Sequence, residues 1–428
     1  MPTAIINVSV WDGARTISPG FVLWKGDTIT DVGRADVVRF SSIVKLLDGK
    51  GGWVIPGLVD LHVHVDEVKT PEMFVRYGVT SVRDMGSSPK AIAEWRKAWR
   101  RGDQRPYVYW TGRNIDTGKP SWWEAVAVKN PAEVPGLLEH LRKLGADGFK
   151  LYVNADRATA EAVIDYARWK GLPVTAHHES IPASELMRMG ISGIEHAHCL
   201  LHELLPSRPR IDEKRKSGYL RVFAGFDRLS TESERVRRLM ELAYATSVVW
   251  TPTLSLYDLP PRWKSKLPAG QPIPAEWRVE WSRPYWDFLS TRGWTPADFD
   301  TAERAVEVYK HFVREAHRYG VLVGAGTDTP APGLLPGAAL HHELRLLVQC
   351  GFTPEEALRA ATVTAAEALR QRGKIGVLQP GARADMLLLE KNPLERVENL
   401  LTIRQVYLLG RAVQHPTARR SPEQGNWR

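Results

Sequence analysis

Hydrophobic and polar residues alternate over short stretches at both ends of the chain. Ala4–Val10, Phe21–Trp24 and Thr28–Val32 read as strands, split by turn residues at Asp12-Gly13 and Lys25-Gly26-Asp27. Ala384–Leu389 and Ile403–Leu409 answer them near the carboxy terminus, around Lys391-Asn392-Pro393 and Leu409-Gly410-Arg411. Two strand-rich flanks around one long middle predict that the ends meet in a composite β-sandwich domain, residues 1–56 and 379–428.

The middle, 57–378, changes pattern. Short apolar runs alternate with amphipathic stretches, as in a parallel sheet with crossover helices. The candidate strands are Leu58–His64, Val79–Asp84, Tyr107–Gly112, Gly148–Tyr152, Pro173–His177, Gly193–His196, Val248–Leu254 and Val321–Asp328. Helix-like stretches lie between them, among them Ala91–Arg100, Val134–Leu144, Ala158–Lys170 and Ala302–Tyr319. Such alternation predicts an α/β fold, a closed (β/α)8 TIM-type barrel whose working residues gather at the carboxy ends of the strands. From about residue 200 to 300 the chain is rich in Pro, Arg and Trp, as in Pro260-Pro261-Arg262-Trp263 and Trp277 to Trp286. It reads as a lid or loop insertion over that rim.

Composition narrows the class. The chain has 428 residues, 43% of them hydrophobic and 25% charged, which suits a soluble globular protein with one large domain and a smaller one. Its formal net charge of +9 is spread along the chain with only short clusters such as Arg96 to Arg101. No recognition motif accompanies it, so the charge reads as solvated surface rather than a nucleic-acid face, with a mild preference for anionic substrates. Cys199 and Cys350 make no disulfide framework of the secreted kind. No basic segment followed by an apolar one opens the chain, and no apolar run is long enough to span a bilayer, so the expectation is a cytoplasmic protein without membrane association.

Chemistry enters at the strand ends. His62 and His64 close the first candidate strand two residues apart, so their imidazoles share a face and could chelate one cation. Alone, such a pair is as readily two histidines near a surface turn. Here Lys150 stands at the fourth strand end, His177 at the fifth, His196 at the sixth and Asp328 at the eighth. Nitrogen and oxygen donors without cysteine suit zinc, manganese, iron or cobalt in a catalytic site that keeps a position open for water. Lys150 fits only if carbon dioxide converts its amine to a carbamate, an anionic oxygen donor; otherwise it is a surface lysine or an ion-pair partner.

These segments together resemble the amidohydrolase superfamily, in its metal-dependent branch of imidazolonepropionase-like and prolidase-like hydrolases. The resemblance rests on Pro56 to His64, Gly148-Phe149-Lys150, Val174 to His177, Gly193 to His196, Gly326-Thr327-Asp328 and the return run Gly373 to Asp385. It implies a binuclear centre of two divalent metals, with zinc as the expected ion. His62, His64 and Asp328 would hold one metal and His177 and His196 the other, with carboxylated Lys150 and a hydroxide bridging both. Asp328 would be the catalytic proton carrier. The family match also places His177 rather than His178 toward the barrel axis, and implies a homo-oligomer.

The expected activity is hydrolysis of an amide bond in a dipeptide, an Xaa-Pro dipeptide included, or in an N-acyl amino acid. Rivals are a cyclic amide, lactone or organophosphate ester hydrolase on the same site, and a non-catalytic scaffold on the same fold. The partner is a small molecule bearing a carboxylate. Arg113, Tyr152, His198 and His341 are the candidates for touching it; Arg113 is chosen because a guanidinium fork matches a carboxylate. His198 could instead orient a ligand, and Arg83-Asp84 could be a salt-bridged rim.

Overall fold

Alternation at the amino terminus becomes two tight hairpins. Strands β1 (Thr3–Trp11), β2 (Thr16–Lys25) and β3 (Thr28–Arg34) pair antiparallel in sequence. Asp12 makes the first turn, its Oδ1 accepting the backbone N–H groups of Ala14 and Arg15, both at 2.9 Å. Gly26 makes the second at φ +64°, where a Cβ would be strained. Strand β4 (Lys45–Pro56) then runs parallel to β1. The protein is described by a computed structural model covering residues 1–413 apart from 124, 208–210, 213, 265–288, 290 and 332.

Ten parallel-sheet strands follow. These are β5 (Leu58–Val63), β6 (Val79–Asp84), β7 (Tyr107–Trp110), β8 (Ile115–Thr117), β9 (Val126–Val128), β10 (Phe149–Leu151), β11 (Val174–Ala176), β12 (Gly193–Glu195), β13 (Val249–Thr251) and β14 (Leu322–Val323). Every one of the eight candidate runs contains one of them. The two extra, β8 and β9, are three-residue strands too short to show periodicity, and they pair with each other beside β10. Backbone hydrogen bonds close the ring: Leu61 N–H donates to Ala325 O at 3.0 Å and Asp328 N–H to His62 O at 2.8 Å, so the last strand meets the first. On the other side Asp147 N–H donates to Trp110 O at 2.7 Å. The result is the TIM-type barrel.

Helices cover its outside, and three of them are started by a side-chain cap. Ser88 opens Pro89–Arg100, Asp156 opens Arg157–Lys170 and Ser233 opens Glu234–Ala245, each side chain accepting a first-turn N–H. Helix Pro296–Arg318 buries Ala302, Ala305, Val306, Tyr309, Phe312, Val313 and Ala316, the three-and-four spacing of one apolar face. No helix among the described residues is long and apolar enough to cross a membrane.

The chain ends then rejoin. Strands β15 (Met386–Leu389), β16 (Ile403–Leu408) and β17 (Arg411–Ala412) complete a seven-stranded mixed sheet in the order β17-β16-β15-β4-β1-β2-β3. Ile5, Val10, Val22, Trp24, Val54, Ala384 and Met386 fill its core. Residues 414–428 of the expected terminal domain lie outside the described residues, as does Trp277 to Trp286 of the expected lid. The stretch 200–300 is not insertion alone: Glu234–Ala245 and β13 belong to the barrel, while Gly218–Val222 and Phe226–Arg228 form short helical turns near its rim.

Candidate metal centre

The sheet geometry carries six polar side chains to one end of the barrel. His62 lies in β5 and His64 just beyond it, Lys150 lies in β10, and His177, His196 and Asp328 follow β11, β12 and β14. All six line one cavity of about 280 Å³, with Tyr152, His198, Trp122, Tyr219, Arg221 and Tyr257 among its other walls.

Distances within the cluster are short. His64 Nε2 lies 3.0 Å from Asp328 Oδ1 and His62 Nε2 lies 3.5 Å from the same oxygen. The donor atoms of His62, His64 and Asp328 all fall within 4.8 Å of one another. The His196 ring stands between those of His62, at 4.6 Å, and His177, at 4.5 Å. His177, His198 and Cys199 form a second set of donors within 4.8 Å. Cys199 and His198 were not expected as donors, and Cys199 does not line the cavity.

Tight local structure holds these groups. His196 has φ +64° and ψ 150°, a conformation costing on the order of 1–3 kcal/mol for a residue with a Cβ. Three contacts fix it: its N–H donates to Thr251 O at 2.8 Å, its carbonyl accepts from Trp250 Nε1 at 3.0 Å, and its Nδ1 sits 2.9 Å from Thr253 Oγ1. Asp328 also has positive φ, at 58°. Gly326 lets the last strand approach the first; a Cβ there would stand 2.5 Å from Thr251 Cγ2 and 3.0 Å from His62 N.

Burial sets the electrostatics. It pushes His62, His177 and His196 well below the ordinary imidazole range, helped by neighbouring positive charge, so the three rings are neutral donors. For His64 burial works in the same direction, but the hydrogen bond and charge of Asp328 outweigh it and raise the ring. Burial favours the protonated form of Asp328, yet the hydrogen bond and charge of His64, with the charge of Lys150, hold its carboxyl below the usual range. Lys150 is 1% exposed, and burial pushes its ammonium down against the pull of Glu195 and Asp328.

Of the substrate candidates, Tyr152 and His198 line the cavity. Tyr152 packs edge-on to His177 at 5.0 Å, and His198 Nδ1 meets Tyr257 OH at 2.5 Å. Arg113 and His341 do not line it. Arg113 gives way to its neighbour Asn114, and His341 turns back to the Tyr77 carbonyl, 2.7 Å from its Nε2, because helix Ala338–Gln349 packs that face inward. His178 is buried away from the cavity, so only His177 of that pair faces it.

Sequence reading missed the supporting carboxylates. Glu195 is fully buried, with Oε2 2.8 Å from His62 Nδ1 and Oε1 2.6 Å from an Arg83 nitrogen. Asp60 accepts from Thr327 N–H at 3.1 Å, Thr327 Oγ1 at 2.7 Å and His62 N–H at 3.1 Å. Asp60 was findable, since it shares the strand face of His62 and His64. Glu195 was not: strict alternation turns it away from His196, and only the positive φ at His196 lets both serve the same interior.

The donor set fits divalent transition metals. It offers imidazole and carboxylate ligands, and His62 Nε2 is a buried nitrogen with no hydrogen-bond partner, which a cation would satisfy.

Comparison with known proteins agrees with this architecture. The profile of the amidohydrolase family matches residues 295–413. An imidazolonepropionase of Deinococcus deserti is 47% identical over 74 residues, 17% of this chain and 18% of that one, and an ochratoxinase of Aspergillus niger is 38% identical over 85 residues, 19% and 17% of the two. The aligned stretches thus span under a fifth of these relatives' lengths. A crystal structure of a putative prolidase from Bifidobacterium longum superposes with a TM-score of 0.71 over 98% of this chain and 96% of that one at 22% identity, showing the shared fold. In its carboxy-terminal profile, its local identities and its whole-chain fold the chain is thus similar to amidohydrolases.

Proposed function

We propose that the protein is a metal-dependent hydrolase that cleaves the amide bond of a dipeptide, Xaa-Pro included, or of an N-acyl amino acid. The observation that carries this reading is the convergence of His62, His64 and Asp328 donors within 4.8 Å in a cavity that Lys150, His177 and His196 also line. His62, His64 and Asp328 would hold one cation and His177 and His196 a second, with Lys150 as carbamate between them. When bound, such ions lower the pKa of water and polarise a carbonyl.

The chain's own groups supply the rest. Burial lowers the Lys150 ammonium, and the neutral amine is the form that adds carbon dioxide. Asp328 presents a carboxylate to the cavity, able to take a proton from the attacking water and pass it to the leaving amine. Tyr152, Tyr219, Tyr257 and Trp122 make much of the wall aromatic, which suits an apolar substrate side chain. Among the described residues Arg221, rather than Arg113, brings a guanidinium to that wall and is the residue we assign to the substrate carboxylate.

The test is a hydrolysis screen of metal-loaded protein over Xaa-Pro and other dipeptides, N-acyl amino acids and cyclic amides. Turnover of the first groups supports the reading. Turnover of cyclic amides alone would move it toward the activity named for the imidazolonepropionase relatives, and hydrolysis of none of these amides would overturn it.

A further inference from the structure

We infer that Glu195, clamped by Arg83 and Thr175, is a positioning residue that fixes the tautomer of His62 and turns its Nε2 lone pair into the cavity. This rests on the reading of His62 as a metal ligand. His62 Nδ1 faces Glu195 Oε2 at 2.8 Å, and Nε2, on the other side of the ring, has no hydrogen-bond partner and lies 3.5 Å from Asp328 Oδ1. The ring is therefore anchored at one nitrogen and open at the other.

The partners of Glu195 explain why the residue is a carboxylate. Its Oε1 takes the Arg83 guanidinium at 2.6 Å and the Thr175 hydroxyl, while Oε2 takes His62 Nδ1–H. Three donors converge on one buried side chain, and an ionised carboxylate accepts them all; an amide has one acceptor oxygen and would aim N–H donors at other donors. Arg83 is itself held, its Nε donating to Leu61 O at 2.7 Å on the strand that carries His62. The Arg83 charge cancels that of Glu195, so the clamp orients His62 without adding net charge to the cavity. Partners of this kind typically alter metal affinity about 10- to 100-fold when removed.

The experiment compares wild type, Glu195→Gln and Thr175→Val as full chains. Chelator competition reads zinc affinity, and ring nitrogen-15 chemical shifts of histidine-labelled protein, stripped of metal, read the His62 tautomer. Thermal melts report folding. Glu195→Gln is expected to stay folded, to bind zinc about 10- to 100-fold more weakly, and to lose the pure Nδ1–H form of His62. Thr175→Val, which removes one contact to Oε1 and none to His62, is expected to give a smaller loss of the same kind, and it decides the matter if Glu195→Gln does not fold. Unchanged tautomer and unchanged zinc affinity in a folded variant would overturn the inference. If wild type binds no metal, the functional reading fails, while the nitrogen-15 shifts still decide the tautomer claim.

Discussion

His64 Nε2 and Asp328 Oδ1 stand 3.0 Å apart although one follows the first barrel strand and the other the last. The pair exists only when the barrel is closed, so the candidate metal site and the closure of the fold depend on the same seam, where Asp328 N–H also bonds His62 O at 2.8 Å.

Asp328→Asn tests the carboxylate at that seam. The substitution keeps size and backbone, so the melting temperature should move little, while turnover of the best amide substrate should fall about 10²- to 10⁴-fold. Full activity in a folded variant would sink the proton-carrying role.

Gly326→Ala tests the seam sterically. The added methyl meets Thr251 Cγ2 at 2.5 Å and His62 N at 3.0 Å, neither at a flexible tip. Overpacking of this kind typically costs about 1–3 kcal/mol. Chemical denaturation should show that loss, and elemental analysis should show reduced metal, since His62 is what the methyl displaces.

Lys150→Ala removes the proposed carbamate. Metal content and activity should both drop, and short carboxylic acids should restore part of each by filling the place of the lost oxygen donors. Retention of metal without any rescue would contradict the carbamate.

Glu343 gives a pH prediction away from the metal ligands. Burial pushes its carboxyl up to about 7, against the hydrogen bonds from Ser255 and Leu254 N–H, at 2.6 and 2.9 Å. The folded protein holds this proton more tightly than the unfolded chain, whose carboxyl titrates near its ordinary 4.5. The contribution to stability is therefore full below that value and is lost as pH rises toward about 7. Asp60, also raised to about 7 by burial, adds a parallel slope. Melting curves of Glu343→Gln should show a shallower decline across this window than wild type; equal slopes would refute the assignment.

Much of this arrangement was legible along the chain. Strand-end placement made His62, His64, Lys150, His177, His196 and Asp328 readable as one rim, because a barrel converts separate strand ends into neighbours. What stayed hidden depended on departures from regular geometry or on partners distant in sequence. Glu195 joins His62 only through the positive φ of His196, and β8 and β9 are too short to carry a period. His341 follows the last strand as a site residue would, yet its helix spends it on the Tyr77 carbonyl. Arg221 lies in a stretch without periodic pattern and reaches the cavity through the turn Gly218–Val222.

The most direct test of the central claim is a metal titration of chelator-stripped protein, read by amide hydrolysis. The account predicts negligible turnover without metal and a rise to a plateau at about two ions per chain. Full turnover in protein shown to hold no metal would contradict it.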